Sequence, residues 1–259
     1  MVNPFYKDSI KTDVFYYTIK DPEGSYETAS LSVIITGQND APFAFDNYEY
    51  INEKDPPVNQ SDPARGLLSG DFDLDDGDQI KVISVNDSTV NKITGKYGNI
   101  EWLEDGTFIY ALNPETDTLS RNEEVTDIFK YSILDKNDST GFARLVINIT
   151  GENDNPVAVN DTLLISEDTL SVELINFNET LLFNDTDKDG DSIKMISMNN
   201  IPGSPLVSKY CTIEWDSAGA ITYFRNEESD TIPLGLTVHD SIRYTILDQY
   251  SYESNAWLH

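Results

Sequence analysis

Apolar and polar positions alternate with a period of two through much of the chain. Phe129, Tyr131 and Ile133 are separated by Lys130 and Ser132. Leu145, Ile147 and Ile149 repeat the pattern after a polar turn at Lys136-Asn137-Asp138-Ser139-Thr140-Gly141. Successive side chains of a strand face opposite ways, so this alternation predicts two half-buried strands joined by a turn. Residues 98–110 predict a second hairpin with Glu104-Asp105-Gly106 as its turn, where Gly106 supplies a positive φ. Asp216-Ser217-Ala218-Gly219 predicts the matching turn further along. No long stretch has the 3.6-residue period of an amphipathic helix. Trp102, Tyr110, Trp215 and Tyr223 are expected in or beside a core. Short strands between frequent turns predict an all-β, two-sheet sandwich.

The pattern repeats. Asp13-Val14-Phe15-Tyr16-Tyr17-Thr18-Ile19-Lys20-Asp21 returns at Asp127–Asp135 and again at Asp240–Asp248, at spacings of 114 and 113 residues. Tyr97-Gly98-Asn99-Ile100-Glu101-Trp102 returns as Tyr210-Cys211-Thr212-Ile213-Glu214-Trp215, 113 residues on. Ile35-Thr36-Gly37-Gln38-Asn39-Asp40-Ala41-Pro42 returns at 149–156, 114 residues on. Landmarks held in register define a tandem repeat of about 113–114 residues. If Asn-Asp-x-Pro separates units, residues 1–42 are the C-terminal part of a truncated repeat. Residues 43–156 are then a complete repeat, and residues 157–259 a repeat lacking the end of its last strand. The chain is thus expected to be a piece of a longer protein. Its first two strands, lacking partners, are expected to be poorly stable.

Charge changes the picture most. Seventeen Lys and Arg face 46 Asp and Glu, a formal net charge of -29. Such a chain repels nucleic acid and anionic membrane surfaces, and it repels itself when compact unless cations neutralise it. The acids cluster. Asp185-Thr186-Asp187-Lys188-Asp189-Gly190-Asp191 places carboxylates at alternate positions, and Gly190 lets the loop curl so that they converge on one hard cation. The spacing matches the first half of an EF-hand loop, but the bidentate Glu expected at position 12 is Ile196. Asp71-Phe72-Asp73-Leu74-Asp75-Asp76-Gly77-Asp78 is the counterpart, with one more residue before its glycine. Both runs also fit solvated acidic turns. The cation they suit is Ca²⁺.

Other chemistry fails on inventory. The two histidines are His239 and His259, and neither a Gly-x-Ser-x-Gly elbow nor His-Glu-x-x-His is present. Cys211, the one cysteine, rules out an intrachain disulfide and reads as a buried thiol in a strand. No run of 18 apolar residues predicts a membrane span, and the start has no signal-peptide pattern, so any export signal lies outside this chain. No catalytic role is expected. Asn-x-Ser/Thr sites stand at Asn59, Asn86, Asn137, Asn148, Asn160, Asn178 and Asn184, only slightly more than composition gives by chance.

The strand Asp-x-Phe-x-Tyr-x-Ile-x-Asp, the Ile-Thr-Gly-x-Asn-Asp-x-Pro segment, the Leu-Leu-x-x-Asp-x-Asp loop and the Gly-x-Ile-x-Trp hairpin resemble VCBS and cadherin-like tandem repeats of large, bacterial-type surface adhesins. The resemblance is strongest over residues 13–156. It implies Ig-like or cadherin-like sandwiches, an extracellular or cell-surface location, neighbouring repeats as partners, and a Ca²⁺-stabilised role as a rigid extender. It also implies that Asn153, Asp154 and Asn155 act as a Ca²⁺-binding linker, with Gln38-Asn39-Asp40-Ala41-Pro42 as its weaker equivalent. Asp135 and Asp138, Glu167-Asp168, and Glu53 with Asp55 are the acids that domain bodies would add. Cell-surface glycans or proteins are possible further partners. A carbohydrate-binding sandwich using exposed Tyr or Trp is the alternative.

Overall fold

The alternating runs fold as strands, and each unit contains a sandwich of two sheets, to which the first unit adds a two-stranded hairpin. The computed structural model describes residues 6–75 and 77–259, which leaves Asp76, one of the expected metal ligands, outside the description. Two units are distinguished: residues up to Thr116 with Glu124–Thr150, and Asp117–Glu123 with Gly151–His259.

The first unit begins with a hairpin of β1 (Ile10–Lys20) and β2 (Tyr26–Thr36), paired antiparallel over their whole length. Every residue of both strands is exposed. The sandwich follows. β3 (Asn47–Asn52), β10 (Thr140–Thr150), β9 (Glu124–Leu134) and β5 (Lys81–Val85) form one sheet in that order. β4 (Val58–Gln60), β8 (Phe108–Leu112), β7 (Gly98–Trp102) and β6 (Lys92–Thr94) form the other. β3 runs parallel to β10, with Leu145 opposite Asn47 and Thr150 opposite Asn52, whereas β9 and β10 are antiparallel. The alternation read from sequence is the burial pattern: Phe129, Tyr131, Ile133, Leu145, Ile147 and Ile149 are buried. Ile100, Trp102, Phe108 and Tyr110 of the other sheet are buried as well, and the Tyr110 and Phe129 rings stand edge to face at 5.9 Å. Gly106 has φ +88°, as its turn requires.

Buried Asp127 binds the two sheets. Its carboxylate accepts the backbone N–H groups of Lys96, Tyr97 and Gly98 at 2.8–3.0 Å, and the Tyr110 hydroxyl at 2.8 Å. A carboxylate in a core needs such donors to offset its lost hydration. Gly98 makes room for this arrangement, since a Cβ there would lie 2.4 Å from the Tyr110 ring.

The second unit repeats the plan less completely. β11 (Ser171–Leu174), β15 (Ile221–Arg225), β14 (Cys211–Trp215) and β13 (Leu206–Val207) form one sheet. β12 (Lys194–Met198), β16 (Ile242–Leu247) and β17 (Glu253–Leu258) form the other. Its core joins Leu181, Met195, Met198, Ile213, Tyr244 and Ile246 with buried Cys211. Burial pushes the Cys211 thiol up to about 12, as suits an inert core residue. Trp215, expected in or beside the core, packs against its edge. Among the described residues no helix is long and apolar enough to cross a membrane.

Gly98→Ala should lower the stability of the first unit by about 1–3 kcal/mol, because the added methyl must displace the Tyr110 ring. Thermal unfolding of the intact chain is the check, and an unchanged transition would refute the packing argument.

Candidate metal centre

Each acidic loop is anchored by its first aspartate. The Asp71 Oδ1 accepts the Phe45 N–H at 2.7 Å, and its Oδ2 accepts the Tyr131 hydroxyl at 3.1 Å. That hydroxyl also lies 2.8 Å from the Phe45 carbonyl and 3.0 Å from the Asn47 amide. The second unit matches it. Asp185 accepts the Val159 N–H at 2.7 Å and the Tyr244 hydroxyl at 3.2 Å, and that hydroxyl also meets the Val159 carbonyl and Asp161. Burial pushes Asp71 and Asp185 up to about 6, partly offset by these hydrogen bonds.

The other described acids of each loop then converge. Carboxylate oxygens of Asp73, Asp75 and Asp78 lie within 4.8 Å of one another, and so do those of Asp187, Asp189 and Asp191. Gly77 and Gly190, at φ +78° and +75°, turn the two loops. Backbone bonds fix the curl: the Asp75 N–H donates to Asp73, and the N–H groups of Asp189 and Asp191 donate to Asp187. Burial raises Asp73, Asp187 and Asp189, and neighbouring carboxylates add to the rise.

The Asn-Asp-x-Pro segments pack on the sandwich that follows each in sequence. The Asn39 amide donates to Asp135 Oδ2 at 2.7 Å and to Ser139 at 2.8 Å, while the Asp40 N–H donates to Asp75 at 2.9 Å. In the second unit the Asn153 amide donates to Asp248 at 2.8 Å, and the Asp154 N–H donates to Asp189 at 2.7 Å. Asp135 is buried, yet donors from Asn39, Ser139 and Asn137 more than offset the burial and hold it below the usual carboxylate range. It therefore orients Asn39 beside the loop.

Asn155, Asp138, Asp55, Glu167 and Asp168 are not among the grouped acids. Asn155 and Asp138 are exposed, and Asp138 holds a left-handed turn at φ +69°. Asp55 accepts the Asn52 N–H in a turn. Glu53 is buried, with its N–H on the Thr150 carbonyl. Glu167 and Asp168 line a cleft of the second unit. Asp248, equivalent to Asp135 at the 113-residue spacing, was not singled out in the sequence, although that spacing points to it.

The donor set fits a hard cation. Asp73 Oδ2, Asp75 Oδ1, Asp187 Oδ2, Asp189 Oδ1 and Asp191 Oδ2 are buried without a hydrogen-bond partner, as is Asn39 Oδ1. Buried oxygens without donors are costly and rare. Oxygens around one Ca²⁺ at about 2.4 Å can stand no more than about 5 Å apart, which the 4.8 Å groups satisfy. Electrostatics differ between the loops. Lys136 Nζ contacts Asp78, whereas Gln249, one spacing on, donates a neutral amide to Asp191. Lys188 turns away to Asp117.

Residues 153–258 match the family model of the bacterial Ig domain. No curated protein matches the chain in sequence. Among solved structures, the chain is similar to protocadherin gamma C5 EC1-3, at 14% identity and TM-score 0.45, over 95% of this chain and 76% of that one. Mouse cadherin-23 EC22-24 matches at 13% identity and TM-score 0.48, over 95% of this chain and 72% of that one.

Removing the Tyr131 hydroxyl by Tyr131→Phe should cost about 1–3 kcal/mol, because Asp71 and the Asn47 amide lose a buried partner. Denaturant unfolding reads this directly. Without metal, Asp71 and Asp185 bind protons more tightly folded than unfolded. Their contribution is complete below about pH 4 and is lost as pH rises through about 6. In chelator the chain should therefore melt higher at pH 5 than at pH 7.5, and the reverse order would contradict the burial argument.

Proposed function

We propose that the chain is a non-catalytic, extracellular structural repeat of a surface adhesin, in which Ca²⁺ holds the acidic loops closed. Asp73, Asp75 and Asp78 would hold one ion, with Asn39 adding its amide oxygen. Asp187, Asp189 and Asp191 would hold the other, with Asn153 and Asp154 beside them as the linker residues. The supporting observation is that both units gather three carboxylates at the same place and leave buried oxygens there without donors. A bound divalent cation supplies charge neutralisation and coordination. It supplies no reaction, and nothing in either group resembles a nucleophile with its base. The match of residues 153–258 to a bacterial Ig domain supports a structural module and an extracellular setting. Tandem repetition supports an extender whose neighbours are further copies of the same unit.

An ion bound only by the folded state raises stability by mass action. Moving from EDTA to millimolar Ca²⁺ should raise the melting temperature by on the order of 10 °C. Asp187→Asn with Asp189→Asn should abolish the rise in the second unit and leave that of the first. Equal melting in EDTA and Ca²⁺ would overturn the proposal.

A further inference from the structure

Each unit sets one side chain against the last acid of its loop, and each does so with the same turn. In the first unit the turn after β9 is held by Asp135, whose Oδ1 accepts the N–H groups of Asn137 and Ser139, both at 2.8 Å. In the second the turn after β16 is held by Asp248, whose Oδ1 accepts those of Tyr250 and Tyr252, again at 2.8 Å. The residue after each aspartate is therefore delivered to its loop by the same backbone. It is Lys136 in one unit, on Asp78, and Gln249 in the other, on Asp191. The two copies of this turn differ there by one charge.

That charge meets a buried partner. The Asp78 side chain is 0% exposed; its Oδ1 meets the Lys136 ammonium while its Oδ2 accepts the Asn137 amide at 3.1 Å. Asp75, 4% exposed, belongs to the same three-acid group, and its Oδ1 is buried without a hydrogen-bond partner. The ammonium also feels the carboxylates of Asp75 and Asp73. It thus offsets part of the repulsion among three acids, and because it is attached to the chain it does so whether or not metal is present. Gln249 gives Asp191 a hydrogen bond but adds no charge to its group. Lys188, inside the second loop, carries its ammonium to Asp117 instead.

We propose that Lys136 is a tethered counter-ion that keeps the first loop closed when metal is absent, whereas the second unit has only a neutral amide at that place. The inference rests on the reading of both loops as Ca²⁺ sites, since the ammonium stands in for that ion. A divalent ion brings twice the charge and several coordination bonds, so it displaces the ammonium. The Lys136 side chain, 56% exposed, can then swing into water. Stripped of metal, the first loop keeps its curl and the second opens under its own repulsion. Loss of metal is then a local event, confined mainly to residues 185–191.

Hydrogen exchange resolved at single amides by NMR, on the full chain, tests this. In EDTA, Lys136→Gln should lower the protection of the Asp75 and Asp78 amides by about tenfold, and Gln249→Lys should raise that of Asp189 and Asp191 by a similar factor. Both side chains are exposed, so the core amides of Tyr131 and Tyr244 should be unmoved. Lys130→Gln removes the same charge at a place facing Asp87 and should change neither loop. Repeating the series in millimolar Ca²⁺ separates this inference from the reading beneath it. If Ca²⁺ protects neither loop in any variant, the metal reading fails, while the EDTA comparison still decides the role of Lys136. Unchanged protection of Asp75 and Asp78 in Lys136→Gln, or an equal loss in Lys130→Gln, would overturn the proposal.

Discussion

A buried tyrosine hydroxyl joins strand to loop in each sandwich. Tyr131 and Tyr244 rise from the middle of the core sheet, and their hydroxyls meet the first aspartate of the acidic loop together with a backbone carbonyl near the start of the unit. A loop carrying four carboxylates would splay in water, since the charges repel. Pinned at its first residue and turned at a glycine, it instead brings three further acids within one ion's reach. The geometry of the candidate site is thus inherited from the core, because moving either tyrosine moves the loop.

The strands, the glycine turns and the two acidic runs were legible in the chain because each is written in local spacing. Phe129, Tyr131 and Ile133 need only a period of two, and Gly106 and Gly219 need only a turn. What was not legible depends on partners far away in sequence. Asn39 reaches Asp135 across 96 residues, and Tyr131 reaches Asp71 across 60. Nothing in the residues around Tyr131 separates it from an ordinary core aromatic. Asp248 was recoverable, since the repeat spacing carries Asp135 onto it, but its neighbours Gln249 and Tyr250 disguise the match to Lys136 and Asn137. The linker motif was read as the boundary between units, and its side chains bond to the sandwich that follows.

Repetition also shows which features tolerate drift. Asp127 collects three backbone N–H groups and a tyrosine hydroxyl in the first unit, with Gly98 opening the space. Its counterpart Asp240 instead takes the hydroxyl of Ser208, and Cys211 stands where the glycine was. Sheet packing is kept while its polar anchor is rebuilt around the larger Cys211 side chain.

One side chain makes the two acidic loops unequal. Lys136 brings a fixed positive charge to Asp78, so a divalent ion there would have to displace or share with an ammonium. Gln249 brings only a dipole to Asp191. Under the proposed role, the loop of the second unit would fill at a lower calcium concentration than that of the first. Each loop of such a repeat would then close at its own ion level, so that the response spans a wider range of concentration than one affinity covers.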